Sequence, residues 1–277
     1  MPSALTDRPA RPLRIGAVTY LNTVPLVRGL QSLLPAAEIS FDFPSRLADN
    51  LAAGRLDVAL APCIELARHP EWSIISTACI GCRGPVLSVK LLFRRPPAEV
   101  ATLALDEGSR TSAVLAQILL ADQFGVRPKL QLLPLASSPL DSTADAVLVI
   151  GDRAIRAPAT GFCQSWDLGA EWTSATGLPF VFAVWAARPG LDEPELEPAL
   201  DAARDHGLRD LESIATEQSA AMDLPRPLVL QYLRDNLNFF LDDAARRGLD
   251  LYFQRAAALG LISDQLELRF HDCHVKR

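Results

Sequence analysis

The sequence predicts an α/β fold of two lobes that close like a clamshell, with one lobe inserted in the other. Three observations carry this. Two strand–helix–strand units open the chain, a second such module follows a charged, proline-rich break at residues 94–97, and extended apolar stretches over 86–93 and 179–187 stand where the chain would cross between lobes. With 277 residues, 49% of them hydrophobic, the chain has enough apolar side chain for two cores.

Residues 1–12 hold charges and prolines and read as a leader. No apolar run there has the length of a signal peptide or membrane span, so the protein is expected in the cytoplasm with no membrane partner. A strand is expected over 14–18, a loop over 19–23 and a helix over 24–34, with Pro25 in its first turn where the missing amide hydrogen costs nothing. Alternation predicts a strand over 38–43. Pro44 then opens a helix to 53, Gly54 stops it, and 56–60 reads as a buried strand. Strands joined through helices pair in parallel, so a mostly parallel sheet is expected.

The stretch 86–93 reads as a further strand, ended by Arg94, Arg95, Pro96 and Pro97, which break any regular ladder. The lobe boundary falls there: 13–93 with 186–277 form lobe 1, and 94–185 form the inserted lobe 2. Within lobe 2 a strand is expected over 102–105, a helix over 111–124 stopped by Gly125, strands over 130–134 and 146–150, and a second crossing strand over 179–185. From 193 onward the chain reads as helical, with Leu228, Tyr232, Leu233, Leu237 and Phe240 near helical spacing.

Bulk chemistry removes several functions. Lys and Arg number 27 against 33 Asp and Glu, a net charge of -6 without the basic stripe that phosphate backbones require, so nucleic acid is no partner. Five cysteines, scattered through apolar stretches, fit reduced thiols rather than a disulfide framework. Cys79 and Cys82 lack a second Cys/His pair at zinc spacing, and His271, Asp272, Cys273 and His274 read as a solvated tail, so no metal is expected. No phosphate-loop, dinucleotide-fingerprint, nucleophile-elbow or HExxH motif is present, and no cofactor is expected.

A clamshell binds its ligand in the cleft, near the carboxyl ends of the strands, where loops and helix N-termini converge. Ser109, Arg110, Thr111 and Ser112 follow a strand and open a helix, which gathers hydroxyls and free amides into an anion cradle; the same residue types also serve as ordinary caps. Pro44, Ser45 and Arg46 repeat the arrangement in the other lobe, so two cradles would hold the two carboxylates of a small dicarboxylate. Tyr20 and Asn22 sit in the loop after the first strand, where an amide can donate to and accept from a ligand, though a turn is the commoner role of a loop Asn. Ser88 is a lone hydroxyl in an apolar stretch and needs a partner, backbone or ligand. Gly151 and Asp152 follow the strand over 146–150 and are read as lining the cleft. Asp167 and Glu171 precede the second crossing, where acids of this kind cap helices, pair with Arg or act as bases.

In order and spacing, segments 14–26, 44–48, 56–62, 84–89, 103–106, 109–112 and 177–185 resemble the signature stretches of the chorismate dehydratases of the futalosine route to menaquinone. The resemblance implies a type II periplasmic-binding-protein fold used as a hydro-lyase, which removes water from chorismate to give 3-(1-carboxyvinyloxy)benzoate. It also implies that the family's important asparagine and serine fall on Asn22 and Ser88, and that the helix start at Ser109 to Ser112 holds a carboxylate. Val24 stands where the family often carries Arg, which leaves Arg46 or Arg110 to supply a cation. No histidine lies in a cleft motif, so the base is either the substrate's enolpyruvyl carboxylate or Asp152. The related naphthoate synthase of the same pathway and a non-catalytic carboxylate-binding protein are the alternatives, and a homodimer is the candidate assembly.

Overall fold

In the computed structural model, which describes residues 11–158, 160–263 and 268–270, the chain begins with the parallel strands that a strand–helix–strand pattern requires. β1 (Arg14–Val18) is followed by helices α1 (Val24–Val27) and α2 (Leu30–Leu33), then β2 (Glu38–Asp42), α3 (Pro44–Ala52), β3 (Val58–Pro62), α4 (Glu65–Arg68) and β4 (Ser73–Cys82). β1 pairs in parallel with both β2 and β3. The single helix expected over 24–34 is two, because Arg28 is extended and Gly29 adopts φ 78°, a left-handed turn that breaks the hydrogen-bond ladder. Residues 1–10 of the leader expected over 1–12, and the cluster His271 to His274, lie outside the described residues.

The chain then enters a second sheet: β5 (Val89–Phe93), β6 (Thr102–Asp106), α5 (Thr111–Phe124), β7 (Lys129–Leu133), β8 (Ala146–Ile150), α6 (Asp152–Ile155), β9 (Gln164–Asp167) and α7 (Leu168–Thr176). It returns through β10 (Phe180–Ala187) and ends in α8 (Leu196–Arg209), α9 (Leu211–Met222), α10 (Arg226–Gln231), a π turn over Tyr232–Asn236, β11 (Asn238–Phe240) and α11 (Asp243–Ala258). The first sheet runs β11-β4-β10-β3-β1-β2 and the second β7-β6-β8-β5-β9.

Two expectations about this layout are corrected. β5 pairs with β8 and β9 in the second sheet, and β10 lies between β3 and β4 in the first. Each strand therefore belongs to the lobe opposite the one its neighbouring break suggested, and the crossings are the short segments 83–88 and 177–179. The charged, proline-rich stretch after Phe93 is a surface turn of the second sheet, tied down by the Arg94 amide on the Asp145 carbonyl. The first sheet is also mixed rather than mostly parallel, since β10 re-enters against the direction of β3 and β4. The expected helical run near the C-terminus stops at the π turn, and Phe240 lies on a strand paired with β4.

One continuous apolar core passes from the first sheet to the second. Trp172, Trp185 and Tyr252 are fully buried in it, with the Trp172 and Tyr252 rings each edge-on to Phe180, at 5.2 and 5.1 Å. α5 is apolar almost all round and buries Leu115, Ile118 and Leu119 completely, which fixes its N-terminus at the junction of the sheets.

Candidate active site

Between the two sheets lies a cavity of about 510 Å³, its open mouth included. Its wall brings together the loop after β1, the first crossing, the start of α5 and the turn after β8. Tyr20, Asn22, Ser88, Ser109, Arg110, Thr111, Ser112 and Gly151 all line it. Ser45, Arg46 and Asp152 do not, although Pro44 does.

Tyr20 owes its position to a missing side chain. Gly151 adopts φ 61°, ψ -145°, a conformation restricted in practice to glycine, and a Cβ there would lie 2.8 Å from three atoms of the Tyr20 ring. The ring thus packs flat beneath the turn, with Phe43 edge-on at 5.9 Å on another side. Among the described residues the buried Tyr20 hydroxyl has no hydrogen-bond partner. Burial, and then the negative charge of Asp106, raises its pKa, so it remains a phenol able to donate.

Asn22 is 9% exposed in a 3-10 turn, where its Oδ1 accepts from the Thr23 hydroxyl at 3.4 Å. The turn is held from the opposite sheet: Asp152 Oδ1 accepts the Leu21 amide at 3.2 Å. Burial raises the Asp152 pKa while this amide opposes the shift. Asp152 therefore fastens the loop and does not line the cavity, the chain turning at Gly151 before it.

Ser88 is 2% exposed and follows Leu87, whose φ of 65° is unusual for a branched side chain. The Ser88 amide donates to the Val86 carbonyl at 2.7 Å, closing a γ-turn. Such strain amounts to about 1–3 kcal/mol and persists only where surroundings enforce it. Here Asp167 enforces it, accepting the Val86 and Leu87 amides at 2.9 and 2.6 Å while capping α7 through Gly169 and Ala170. Of the roles open to Asp167 in sequence, capping is the one observed. From the other side, the Gly151 amide donates to the Ser88 carbonyl at 2.8 Å.

At α5 the Asp106 carboxylate, accepting Gly108 N at 3.0 Å and Arg153 Nη1 at 3.0 Å, shapes the turn that delivers the helix start to the cavity. Val114 N to Arg110 O closes the first helical bond, which leaves the preceding amides without a helical acceptor. Among the described residues no side chain caps this helix. The hydroxyls therefore do not spend themselves on ordinary capping, and a bound anion would meet open amides at the positive end of a 14-residue helix. Thr111 Oγ1 is the exception, since it accepts the Ile64 amide at 3.4 Å across the sheets.

The two expected cations are both engaged with carboxylates of the protein. The Arg46 side chain is 55% exposed, 3.8 Å from Asp42 and over the Phe43 ring, so it points away from the cavity. Arg110 lines the wall, but its two terminal nitrogens bind Asp49 at 2.7 Å and Glu65 at 3.1 Å. Glu65 is buried, and its pull on Arg110 ties α5 to α4. Among the described residues, then, the wall's one charged side chain is already paired, and the donors left open on the wall are amides, hydroxyls and a phenol.

The helical stripe near the C-terminus makes Tyr232 one apolar position among several and hides a buried phenol that the sequence reading passes over. Its hydroxyl is buried and, among the described residues, without a hydrogen-bond partner, and Ser88 and Asn22 are among the groups that bear on its ionisation. The signal available in sequence is a phenol in an aliphatic pattern, since a buried hydroxyl requires a partner.

Two sheets joined by two crossings, with a cavity at the junction, define the two-lobed binding-protein class. The chain superposes over 92% of its length on all of a structural-genomics protein from Archaeoglobus fulgidus, with TM-score 0.74 at 16% identity. It superposes over 93% on 95% of the periplasmic aliphatic sulphonate binding protein of Escherichia coli, with TM-score 0.56 at 17% identity. The fold is therefore that of the periplasmic binding proteins. A sequence profile described as menaquinone biosynthesis matches residues 13–258. A chorismate dehydratase of Thermus thermophilus is 31% identical over 269 residues, 91% of this chain and 96% of that protein. A second, from Campylobacter jejuni, is 29% identical over 164 residues, 59% of this chain and 58% of the relative. The chain belongs to the menaquinone biosynthesis family. Among the described residues no helix is long and apolar enough to cross a membrane.

Proposed function

We propose that this protein is a cytoplasmic hydro-lyase that eliminates water from chorismate to give 3-(1-carboxyvinyloxy)benzoate. The observation that carries the reading is the full-length relationship to a chorismate dehydratase, and the cavity supports it with donors suited to a dicarboxylate. Loss of the C3 hydrogen and C4 hydroxyl of chorismate makes its ring aromatic. The reaction is downhill and asks the protein for orientation, a proton acceptor and help for the departing oxygen.

The open amides of α5 with Ser109 and Ser112 take one carboxylate, and the Tyr20 phenol donates to the ligand. Asn22 and Ser88 face the departing oxygen and fix the ring. The C3 proton passes to the substrate's own enolpyruvyl carboxylate, the C–H electrons form the new ring double bond, and the C4–O bond breaks. The departing oxygen takes that proton from the enolpyruvyl carboxyl, so water leaves and the carboxylate is restored. An arginine bound to the enolpyruvyl carboxylate would lower its basicity, whereas neutral donors preserve it. With Arg110 held by Asp49 and Glu65, the wall has that neutral character. Asp152, set behind the loop, serves as a fastening and not as the base.

The test is incubation of purified protein with chorismate, following the cyclohexadiene absorbance and the product mass. Absorbance loss with a product lighter by one water supports the reading; unchanged chorismate overturns it.

A further inference from the structure

The Tyr232 hydroxyl takes no part in these steps, yet its placement is specific. The residue is 1% exposed and, among the described residues, its hydroxyl has no partner in hydrogen-bonding geometry. A buried phenol oxygen without a partner gives up its hydration for nothing in return, so chance retention is a poor explanation. Of the polar side chains that bear on this hydroxyl, Ser88 and Asn22 both line the cavity, held toward it by the strained crossing and the 3-10 turn.

The backbone beneath Tyr232 is also unusual. Tyr232 begins a π turn, a widened helical turn that adds a residue and rotates the side chains that follow, and such turns concentrate at functional sites. At the far end of that turn Asn236 Nδ2 donates to the Pro85 carbonyl at 2.9 Å, clamping the turn to the segment that carries Ser88. Tyr232 and Ser88 are thus held in one frame by two independent connections, the Asn236 clamp and the shared core.

We propose that Tyr232 is a positioning residue for the dehydration, donating its phenol hydrogen to Ser88 Oγ so that the serine hydrogen is directed into the cavity, with the Asn22 amide completing the chain. This inference rests on the dehydratase reading and deepens it. Burial keeps the phenol protonated and therefore a donor at any working pH. Hydrogen bonds of this kind are commonly long before substrate arrives and tighten in the reactive complex. No proton leaves Tyr232; it sets the orientation of a neighbouring hydroxyl.

The experiment compares wild type, Tyr232→Phe, Ser88→Ala and the double variant. Tyr232→Phe keeps the ring in its packing, so thermal unfolding stays close to wild type. Its kcat should fall by roughly tenfold to a hundredfold, as expected for a misplaced catalytic group, with KM nearly unchanged. In the Ser88→Ala background the same substitution should have no further effect on kcat. A Tyr232→Phe enzyme with wild-type kcat overturns the proposal, and so does an equal loss in both backgrounds. Infrared difference spectra of wild type minus Tyr232→Phe isolate the phenol C–O band, which should move when Ser88→Ala is introduced. An unmoved band refutes the contact even if the wild-type protein leaves chorismate untouched, the result that would overturn the dehydratase reading instead.

Discussion

Replacing Gly151 with alanine should damage both stability and turnover, because the residue serves two constraints at once. Its φ of 61° with ψ of -145° lies in a region where a side chain costs about 1–3 kcal/mol. The new methyl would meet three Tyr20 ring atoms at 2.8 Å, and that ring is 6% exposed and backed by Phe43, so it has little room to retreat. Overpacking of this kind costs a further ~1–3 kcal/mol. At roughly 2–4 °C per kcal/mol for a chain somewhat smaller than this one, the melting temperature should fall by about 5–20 °C. Gly177→Ala provides the control. Gly177 has φ 69°, ψ 6° and no atom within 4 Å of the place a methyl would occupy, so only left-handed strain of about 1–2 kcal/mol applies. Calorimetry on both variants, with chorismate turnover alongside, measures the difference. Equal melting temperatures for the two variants would refute the ring-contact argument. Unchanged kcat in Gly151→Ala would refute the claim that this turn positions Tyr20 and Ser88.

Asn22→Ala and Ser88→Ala should each lower kcat by on the order of a hundredfold or more while leaving thermal unfolding nearly intact; wild-type rates in both would remove them from the chemistry. Asp167→Ala leaves the Val86, Leu87, Gly169 and Ala170 amides without their acceptor, so denaturant titration should show a loss of roughly 2–4 kcal/mol together with a drop in kcat. The Asp152 pKa is raised above its unfolded value by burial, so its contribution to stability is present below that unfolded value and is lost as pH rises through the folded one. Asp152→Asn keeps the acceptor for Leu21 without the charge. It should therefore gain in stability relative to wild type as pH rises from about 4 toward neutrality, and it should retain turnover; the opposite pH trend, measured by denaturation at several pH values, would show that burial does not govern this carboxyl.

Much of the site is legible in sequence because its signals are local. Apolar spacing and a terminal glycine predict a helix over 111–124, and α5 occupies those residues. Tyr20, Asn22, Ser88, Ser109 to Ser112 and Gly151 stand out as polar or conformationally special residues at strand ends, and they share one cavity. Arg46, Ser45 and Asp152 stand out on equal grounds and lie away from it. Nothing in the sequence separates the two sets, because side-chain direction depends on which neighbour each turn packs against.

The sequence by itself determined the α/β class, most strand and helix positions and the family resemblance, since periodicity, turn chemistry and motif order are properties of short stretches of chain. Only the tertiary structure decided that β5 and β10 exchange lobes, that Arg110 is neutralised by Asp49 and Glu65, and that Asn236 clamps the turn begun by Tyr232 to the segment before Ser88. Each of these depends on partners distant in sequence, and their pairing is fixed by how the sheets and helices pack rather than by any local pattern.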